Sequence, residues 1–136
     1  MTLTDAGPLI ALIDASEPDH ERCSSVLAQI QLPLLTTWPP FTEAMYLLGG
    51  AGGWRGQELL WRLLLRNDLV VANASPESNR RAKQLMERYA DRPVDLADAT
   101  LVALAEERDI TRIFTLDVDF HIYRIKGRKR FEVIPS

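Results

Sequence analysis

The chain has 136 residues, of which 46% are hydrophobic and 26% charged, and its formal net charge is −3. This balance argues against disordered, fibrous and membrane-spanning classes, and against a broadly basic surface for nucleic acid. The sequence has one cysteine, Cys23, so we expect neither an intramolecular disulfide nor a thiolate zinc cluster. It has no apolar run of the ~20 residues that span a membrane, and acids stand near the start where a signal peptide would have basic residues. We therefore expect a single cytoplasmic domain over residues 1–136.

The first part of the chain alternates short apolar runs with helical patterns. Thr2–Thr4 is short for a strand, and the run PLIALI after it predicts a buried helix opened by Pro8. Residues 17–30 place apolar side chains at helical spacing and predict a second helix. Residues 34–38 predict a buried strand that two prolines end, and FTEAMYLLG (41–49) predicts a helix that stops at a glycine.

The segment GGAGGWRG contains five of the seven glycines, so we considered a phosphate-binding loop. A helix precedes it instead of a strand, and it lacks a Gly-Lys-Ser/Thr ending, which favours a helix-to-helix turn. The following helix, GQELLWRLLLRND, places four large apolar side chains along one side, with Trp54 two turns back: Leu60, Trp61, Leu64 and Leu65. Such a stripe is typical of a core, and if exposed it would suit a dimer or a helix-binding groove.

The middle of the chain predicts a third strand and an amphipathic helix. The strand is LVVAN, residues 69–73. The helix is SPESNRRAKQLMERYAD, in which Ser75 is predicted to cap the N-terminus and Leu85, Met86 and Tyr89 to face inward.

The stretch VDLADATLVALAEE (94–107) predicts a helix that is apolar on almost every side. Asp95 precedes the apolar run and is predicted to cap exposed backbone N–H groups at the helix start. Asp98 lies in the first turn, and its face is shared by apolar residues three, four and seven positions further on. An acid that points toward a core needs a partner, so this side chain is a candidate functional residue.

Two further strands complete the alternation, TRIFTL at 111–116 and FEVIP near the end of the chain. Strands separated by helices of this length need crossover connections, and crossovers produce parallel sheets with helices on both faces. The predicted fold class is therefore α/β, a three-layer α/β/α arrangement around a central parallel sheet of four to five strands.

Four acids fall where such a sheet places its ligands, at the carboxyl ends of the strands. Asp5 follows the first strand and Asp117 follows the fourth. Glu43 lies in the first turns of the helix after the second strand, and Asp98 lies at a helix N-terminus expected at the same edge. Taken singly, Asp5 and Asp117 could each cap a helix and Glu43 could face solvent. Their joint position favours one shared site.

Converging carboxylates repel one another unless a cation lies among them. Mg²⁺ and Mn²⁺ take oxygen ligands and are commonly held by carboxylates together with a substrate phosphate. A cation of this kind acidifies bound water and offsets charge on a leaving oxygen. The pattern therefore indicates metal-dependent phosphodiester hydrolysis.

The segments that carry these acids, DAGPLIAL, FTEAMYLL, VDLADATLVALAEE and IFTLDVDF, resemble in order and spacing the PIN-domain ribonucleases, particularly the VapC-like toxins of bacterial toxin–antitoxin pairs. The resemblance implies a PIN-like fold and an endoribonuclease dependent on Mg²⁺ or Mn²⁺. It implies a catalytic, metal-binding quartet of Asp5, Glu43, Asp98 and Asp117, supported by Thr115 and Asp119. It also implies a homodimer and an antitoxin whose C-terminal segment lies in a groove near the active site.

A basic run, RIKGRKR, follows the last of these segments. It is either a solvated loop or a patch that contacts RNA phosphates. The candidate RNA-binding residues are Arg124, Lys126, Arg128, Lys129 and Arg130.

Two other functions remain open at the level of sequence. A phosphatase of the haloacid dehalogenase type would use the strand-Asp-x-Asp pattern of FTLDVDF, with a lysine to balance charge. The second alternative function is a PIN-like module that binds RNA or protein without catalytic turnover. After the first acid the family often has Ser, Thr or Asn where this chain has Ala6-Gly7-Pro8, so a supporting hydroxyl or amide is absent there.

Overall fold

The computed structural model describes residues 1–92 and 94–136. The strands of this part of the chain are β1 (Thr2–Thr4), β2 (Leu34–Thr37), β3 (Leu69–Ala72), β4 (Arg112–Phe114), β5 (Arg124–Ile125), β6 (Lys129–Arg130) and β7 (Glu132–Ile134). The helices are α1 (Ala6–Ile13), α2 (His20–Leu27), α3 (Trp38–Gly52), α4 (Trp54–Leu65), α5 (Pro76–Arg88) and α6 (Leu96–Arg108), and a short 3₁₀ helix spans Val118–His121.

Five strands form one parallel sheet in the order β3-β2-β1-β4-β7, which confirms the predicted fold class. In the register of the sheet, Leu3 of β1 is paired with Leu35 on one side and with Ile113 on the other. Because every pair is parallel, the chain leaves β1, β2 and β4 at the same edge. The segments that follow these strands are α1, α3 and the 3₁₀ helix, so their first residues meet at that edge.

Apolar residues on the two faces of the sheet form two cores. Leu35 and Ile113 contribute to the core shared with α5 and α6. Leu34 and Phe114, their neighbours along the strands, contribute to the core shared with α1 to α4. Alternation of side chains along a strand explains this division and produces the three predicted layers.

Helix α6 is buried along most of its length, as its apolar composition predicts. Asp95 accepts a hydrogen bond from the backbone N–H of Asp98 at 2.8 Å, so the predicted cap is confirmed. The helix ends at Asp109, whose φ of 55° is left-handed. The cap fixes the first turn of α6 and, with it, the backbone position of Asp98.

Two helices begin earlier than the sequence predicted. Helix α1 begins at Ala6 and not at Pro8, because Asp5 caps it. Helix α3 begins at Trp38, with both prolines in its first turn, where a missing N–H carries no cost. It continues to Gly52, and the turn to α4 is reduced to Gly53, whose φ of 72° is a conformation that glycine adopts readily.

Several smaller expectations were wrong in detail. The second helix is shorter than residues 17–30 and covers His20–Leu27. Met86 does not face inward and is 38% exposed, whereas Leu85 is buried. The basic run is not an irregular loop, because β5 and β6 pair within it as an antiparallel hairpin.

The stripe on α4 is divided between core and surface. Leu60 is fully buried, while Trp61, Trp54 and Leu65 are exposed and surround a shallow surface depression. Within the described residues, no helix is both long and apolar enough to cross a membrane.

Candidate active site

Three of the four predicted acids form one cluster at the carboxyl edge of the sheet. Asp5 follows β1 directly, Asp98 lies in the first turn of α6, and Asp117 follows β4 by three residues. One carboxylate oxygen of each lies within 4.8 Å of the corresponding oxygen of the others. Residues separated by more than ninety positions in the sequence, as Asp5 and Asp98 are, therefore present ligand atoms to one point.

Asp5 is held on both of its carboxylate oxygens. Its Oδ1 accepts the backbone N–H of Ala6 at 2.8 Å, and its Oδ2 accepts the Thr115 hydroxyl at 3.2 Å. The side chain therefore caps α1 and also contributes to the cluster, so the helix-capping role and a place in the acidic site are compatible for Asp5. Ala6 supplies only a backbone donor here, and the hydroxyl that supports Asp5 comes from Thr115.

Thr115 connects two of the acids. Its hydroxyl oxygen accepts the backbone N–H of Asp117 at 3.0 Å while the hydroxyl donates to Asp5. The side chain is 2% exposed, so its rotamer is fixed by packing as well as by these bonds. This geometry supports the positioning role predicted for Thr115.

Asp98 is the most deeply buried member of the cluster, at 5% exposed. Its Oδ2 accepts a hydrogen bond of 2.9 Å from the hydroxyl of Tyr123, which is fully buried. Burial, followed by the charge of Asp98, raises the pKa of Tyr123, so this phenol stays protonated and remains a donor. Sequence reasoning missed Tyr123, because the only signal was an amphipathic residue shortly after TLDVDF.

Asp117 and Asp119 occupy one turn but differ in position. Asp117 Oδ1 accepts the backbone N–H of Asp119 at 2.9 Å and caps the 3₁₀ helix. Asp119 does not belong to the group of three acids, although its N–H fixes one of them. Asp119 therefore contacts the cluster through its backbone N–H, and a supporting role for its carboxylate stays a prediction.

Glu43 lies at the rim of the cluster. Its side chain is exposed, and it is not one of the three residues that share the 4.8 Å group. Partial desolvation raises the pKa of Glu43, and the charges of Asp95 and Asp117 raise it further. The charge of Glu43 in turn contributes to the raised pKa of Asp5. Glu43 therefore shares the electrostatic environment of the cluster from its edge.

Two of the clustered acids, Asp5 and Asp98, are placed where negative charge is costly. Burial, with smaller contributions from Asp95, Asp5 and Asp117, raises the pKa of Asp98 to about 8. Burial raises the pKa of Asp5 to about 6, with Glu43 and Asp117 adding to the shift. Among the described residues, no lysine or arginine forms an ion pair with any member of the cluster.

This donor set fits a hard divalent cation. All three groups offer carboxylate oxygens, the ligands that Mg²⁺ and Mn²⁺ take in proteins. A cation among them would compensate the neighbouring charges that add to the raised pKa values of Asp5 and Asp98. The hydrogen bonds from Ala6, Thr115 and Tyr123 already orient two of the carboxylates.

The tip of the hairpin formed by the basic run lies near the C-terminal end of α6, away from the acids. The backbone N–H of Lys126 donates to Glu106 near the end of α6, and its ammonium pairs with Asp109 at 3.3 Å. Arg124 is engaged with backbone carbonyl oxygens at the end of the 3₁₀ helix. Lys126 therefore lies away from the acids, whereas Arg124 lies beside the 3₁₀ helix, and the contact of the five basic residues with RNA phosphates stays a prediction.

A family model and a curated relative both match the chain along most of its length. The protein-family model described as "PIN domain" matches residues 2–126 of this chain. Ribonuclease VapC26 of Mycobacterium tuberculosis (strain ATCC 25618 / H37Rv) is 30% identical over 134 residues, which cover 98% of this chain and 99% of that protein.

Solved structures share the fold. The crystal structure of VapC20 from Mycobacterium tuberculosis, described as a sarcin-ricin loop cleaving toxin, has a TM-score of 0.81 and 19% identity, covering 88% of this chain and 92% of that one. A toxin–antitoxin complex from Klebsiella pneumoniae has a TM-score of 0.67 and 19% identity, covering 86% and 87%. The match over residues 2–126 and the full-length similarity to a VapC ribonuclease establish that the chain belongs to the PIN-domain family, among its VapC-like members.

Proposed function

We propose that the protein is a divalent-metal-dependent endoribonuclease that acts as the toxin of a toxin–antitoxin pair. The observation that carries this proposal is the convergence of Asp5, Asp98 and Asp117 within 4.8 Å, two of them with pKa values raised by burial and like charge. The similarity to Ribonuclease VapC26 along almost the whole chain supports RNA as the substrate.

The residues of the cluster would hold one or more Mg²⁺ or Mn²⁺ ions. When bound, such an ion lowers the pKa of water and offsets charge that develops on the phosphate. Asp5, Asp98 and Asp117 would supply its protein ligands, and Thr115 would keep the first and last of these in register. Glu43, exposed at the rim, would be the fourth carboxylate of the site.

A phosphatase of the haloacid dehalogenase type is not favoured by the geometry. That chemistry needs a lysine beside its aspartate pair. The two lysines that follow Asp117 in sequence belong to the hairpin, where Lys126 pairs with Asp109 at the opposite edge of the sheet. Asp119, the second acid of the pattern, is not part of the acidic cluster.

A protein antitoxin is the proposed partner. One structural neighbour is described as a toxin–antitoxin complex, and α4 exposes Trp54, Trp61 and Leu65 on one surface. Exposed aromatic and aliphatic side chains at helical spacing suit an apolar helical segment of a partner. The homodimer predicted from sequence stays a prediction.

The proposed activity is tested by incubating the purified chain with a pool of end-labelled structured and single-stranded RNAs. Internal cleavage is expected with Mg²⁺ and with Mn²⁺, and none with EDTA, because removal of the cation removes both the acidified water and the compensation of charge on the phosphate. A mixture of phosphomonoesters in the same buffers is the control and is expected to release no phosphate. Cleavage that persists undiminished in EDTA would contradict the proposal, as would phosphate release without RNA cleavage.

A further inference from the structure

Tyr123 connects the α6 acid to the turn that presents Asp117. Its backbone N–H donates to the carbonyl oxygen of Asp119 at 3.1 Å, so it follows directly from the 3₁₀ helix. Its hydroxyl donates to Asp98 Oδ2 at 2.9 Å, across 25 residues of sequence. One short segment therefore sets the position of Asp117 through its cap and of Asp98 through a side-chain bond.

The ring of Tyr123 has little freedom to move. Phe120 packs edge-on against it with ring centroids 5.1 Å apart, and Tyr89 packs in the same way at 5.4 Å. The residue is fully buried in the core shared with α6. A donor held this rigidly selects one orientation of the carboxylate that it contacts.

We propose that Tyr123 is a positioning residue that orients the Asp98 carboxylate for cation binding, by holding Oδ2 in a fixed hydrogen bond. This inference rests on the proposed function, since it assumes that the three acids bind a divalent cation. Tyr123 acts through Asp98 and does not touch substrate. Its contribution is separate from that of Thr115, which contacts the other two acids, Asp5 and Asp117.

The test compares Tyr123→Phe with wild type and with Tyr89→Phe as a matched control. The first substitution removes only the hydroxyl that reaches Asp98. The second removes a hydroxyl from a packed neighbour that forms no side-chain hydrogen bond with the described residues. Binding of Mn²⁺ alone is measured by calorimetry, beside melting in EDTA and RNA cleavage over a range of Mn²⁺ concentrations.

Tyr123→Phe is expected to bind Mn²⁺ about 10- to 100-fold more weakly, while it still melts cooperatively in EDTA. Its cleavage is expected to recover in part as Mn²⁺ is raised, because the lost orientation weakens binding more than it alters the bound state. Tyr89→Phe is expected to match wild type. Equal Mn²⁺ affinity in all three proteins would overturn the inference, whereas absence of Mn²⁺ binding and cleavage in wild type would instead overturn the proposed function.

A second measurement serves if Tyr123→Phe does not fold. The chain has three tyrosines, so wild-type protein labelled at tyrosine Cζ gives three carbon resonances, two of which Tyr46→Phe and Tyr89→Phe assign. Addition of Mg²⁺ is expected to shift the Tyr123 resonance, because its hydrogen-bond acceptor becomes a ligand, and to leave that of the exposed Tyr46 unchanged. A Tyr123 resonance that does not respond to saturating Mg²⁺ would contradict the assigned role.

Discussion

Asp98→Asn is expected to reduce RNA cleavage by more than about 100-fold, since even partners outside the ligand set of a metal typically contribute 10- to 100-fold. The amide retains the shape of the side chain and an oxygen that can accept the Tyr123 hydroxyl, but it removes the charge that would hold a cation. The fold should be retained because Asp95 caps α6 through the backbone N–H of residue 98, which the substitution leaves intact.

The matched control for this prediction is Asp109→Asn at the other end of the same helix. Asp109 has a left-handed φ of 55°, which asparagine tolerates, and its side chain is 86% exposed. This variant is expected to cleave RNA at the wild-type rate. Wild-type cleavage by purified Asp98→Asn, or equal loss in both variants, would remove Asp98 from the proposed machinery.

The metal-free protein is expected to lose stability as the pH rises from about 4 to about 8. Burial raises the pKa of Asp98 to about 8 and that of Asp5 to about 6, so over this range the folded chain binds more protons than the unfolded chain. Stability then falls with pH, by up to about 1.4 kcal/mol per unit for each group within its window, and levels off above the folded pKa. Between about pH 6 and pH 8 the main contributor is Asp98.

This pH dependence is measured as the free energy of unfolding in EDTA at several pH values, for wild type and for Asp98→Asn. The variant lacks the titrating carboxyl, so it should show a flatter profile above about pH 6 and a higher stability than wild type at about pH 8. Saturating Mn²⁺ should stabilise wild type increasingly over the same range, because a cation binds the deprotonated carboxylates. Parallel profiles for the two proteins would show that Asp98 is not the group responsible.

The fold was predictable because its signals are local. Apolar runs such as LVVAN alternate with helical patterns, and this alternation alone implies a parallel sheet between two helical layers. Helix starts were less accurate, since capping decides them. Asp5 moved the start of α1 forward to Ala6, and α3 accommodated two prolines in its first turn and began at Trp38.

The part of the site that follows the ends of strands could be predicted from the sequence. Asp5 and Asp117 follow neighbouring parallel strands, so their convergence follows from topology, and the cap at Asp95 placed Asp98 beside them. Glu43 was expected among them and lies at the rim instead. Because α3 begins at Trp38, Glu43 is its sixth residue and lies about 7.5 Å along the helix axis from Trp38 at the sheet edge.

Tertiary contacts account for what the sequence did not reveal. The bond between Tyr123 and Asp98 joins two elements that no local pattern relates. Likewise, helical spacing cannot tell which of the large side chains on α4 are covered, and Trp54 and Leu65 prove exposed while Leu60 is buried. The predicted basic patch formed a hairpin whose tip lies at the opposite edge, because β5 runs back along α6 toward its C-terminus.

The most direct test of a cation site in the acidic cluster is anomalous diffraction from crystals of the chain soaked in Mn²⁺. We expect an anomalous peak within coordination distance of carboxylate oxygens from Asp5, Asp98 and Asp117, and no such peak in crystals of Asp98→Asn. Ordered carboxylates with no anomalous peak beside them, or manganese bound only elsewhere on the chain, would contradict a cation site at these three acids.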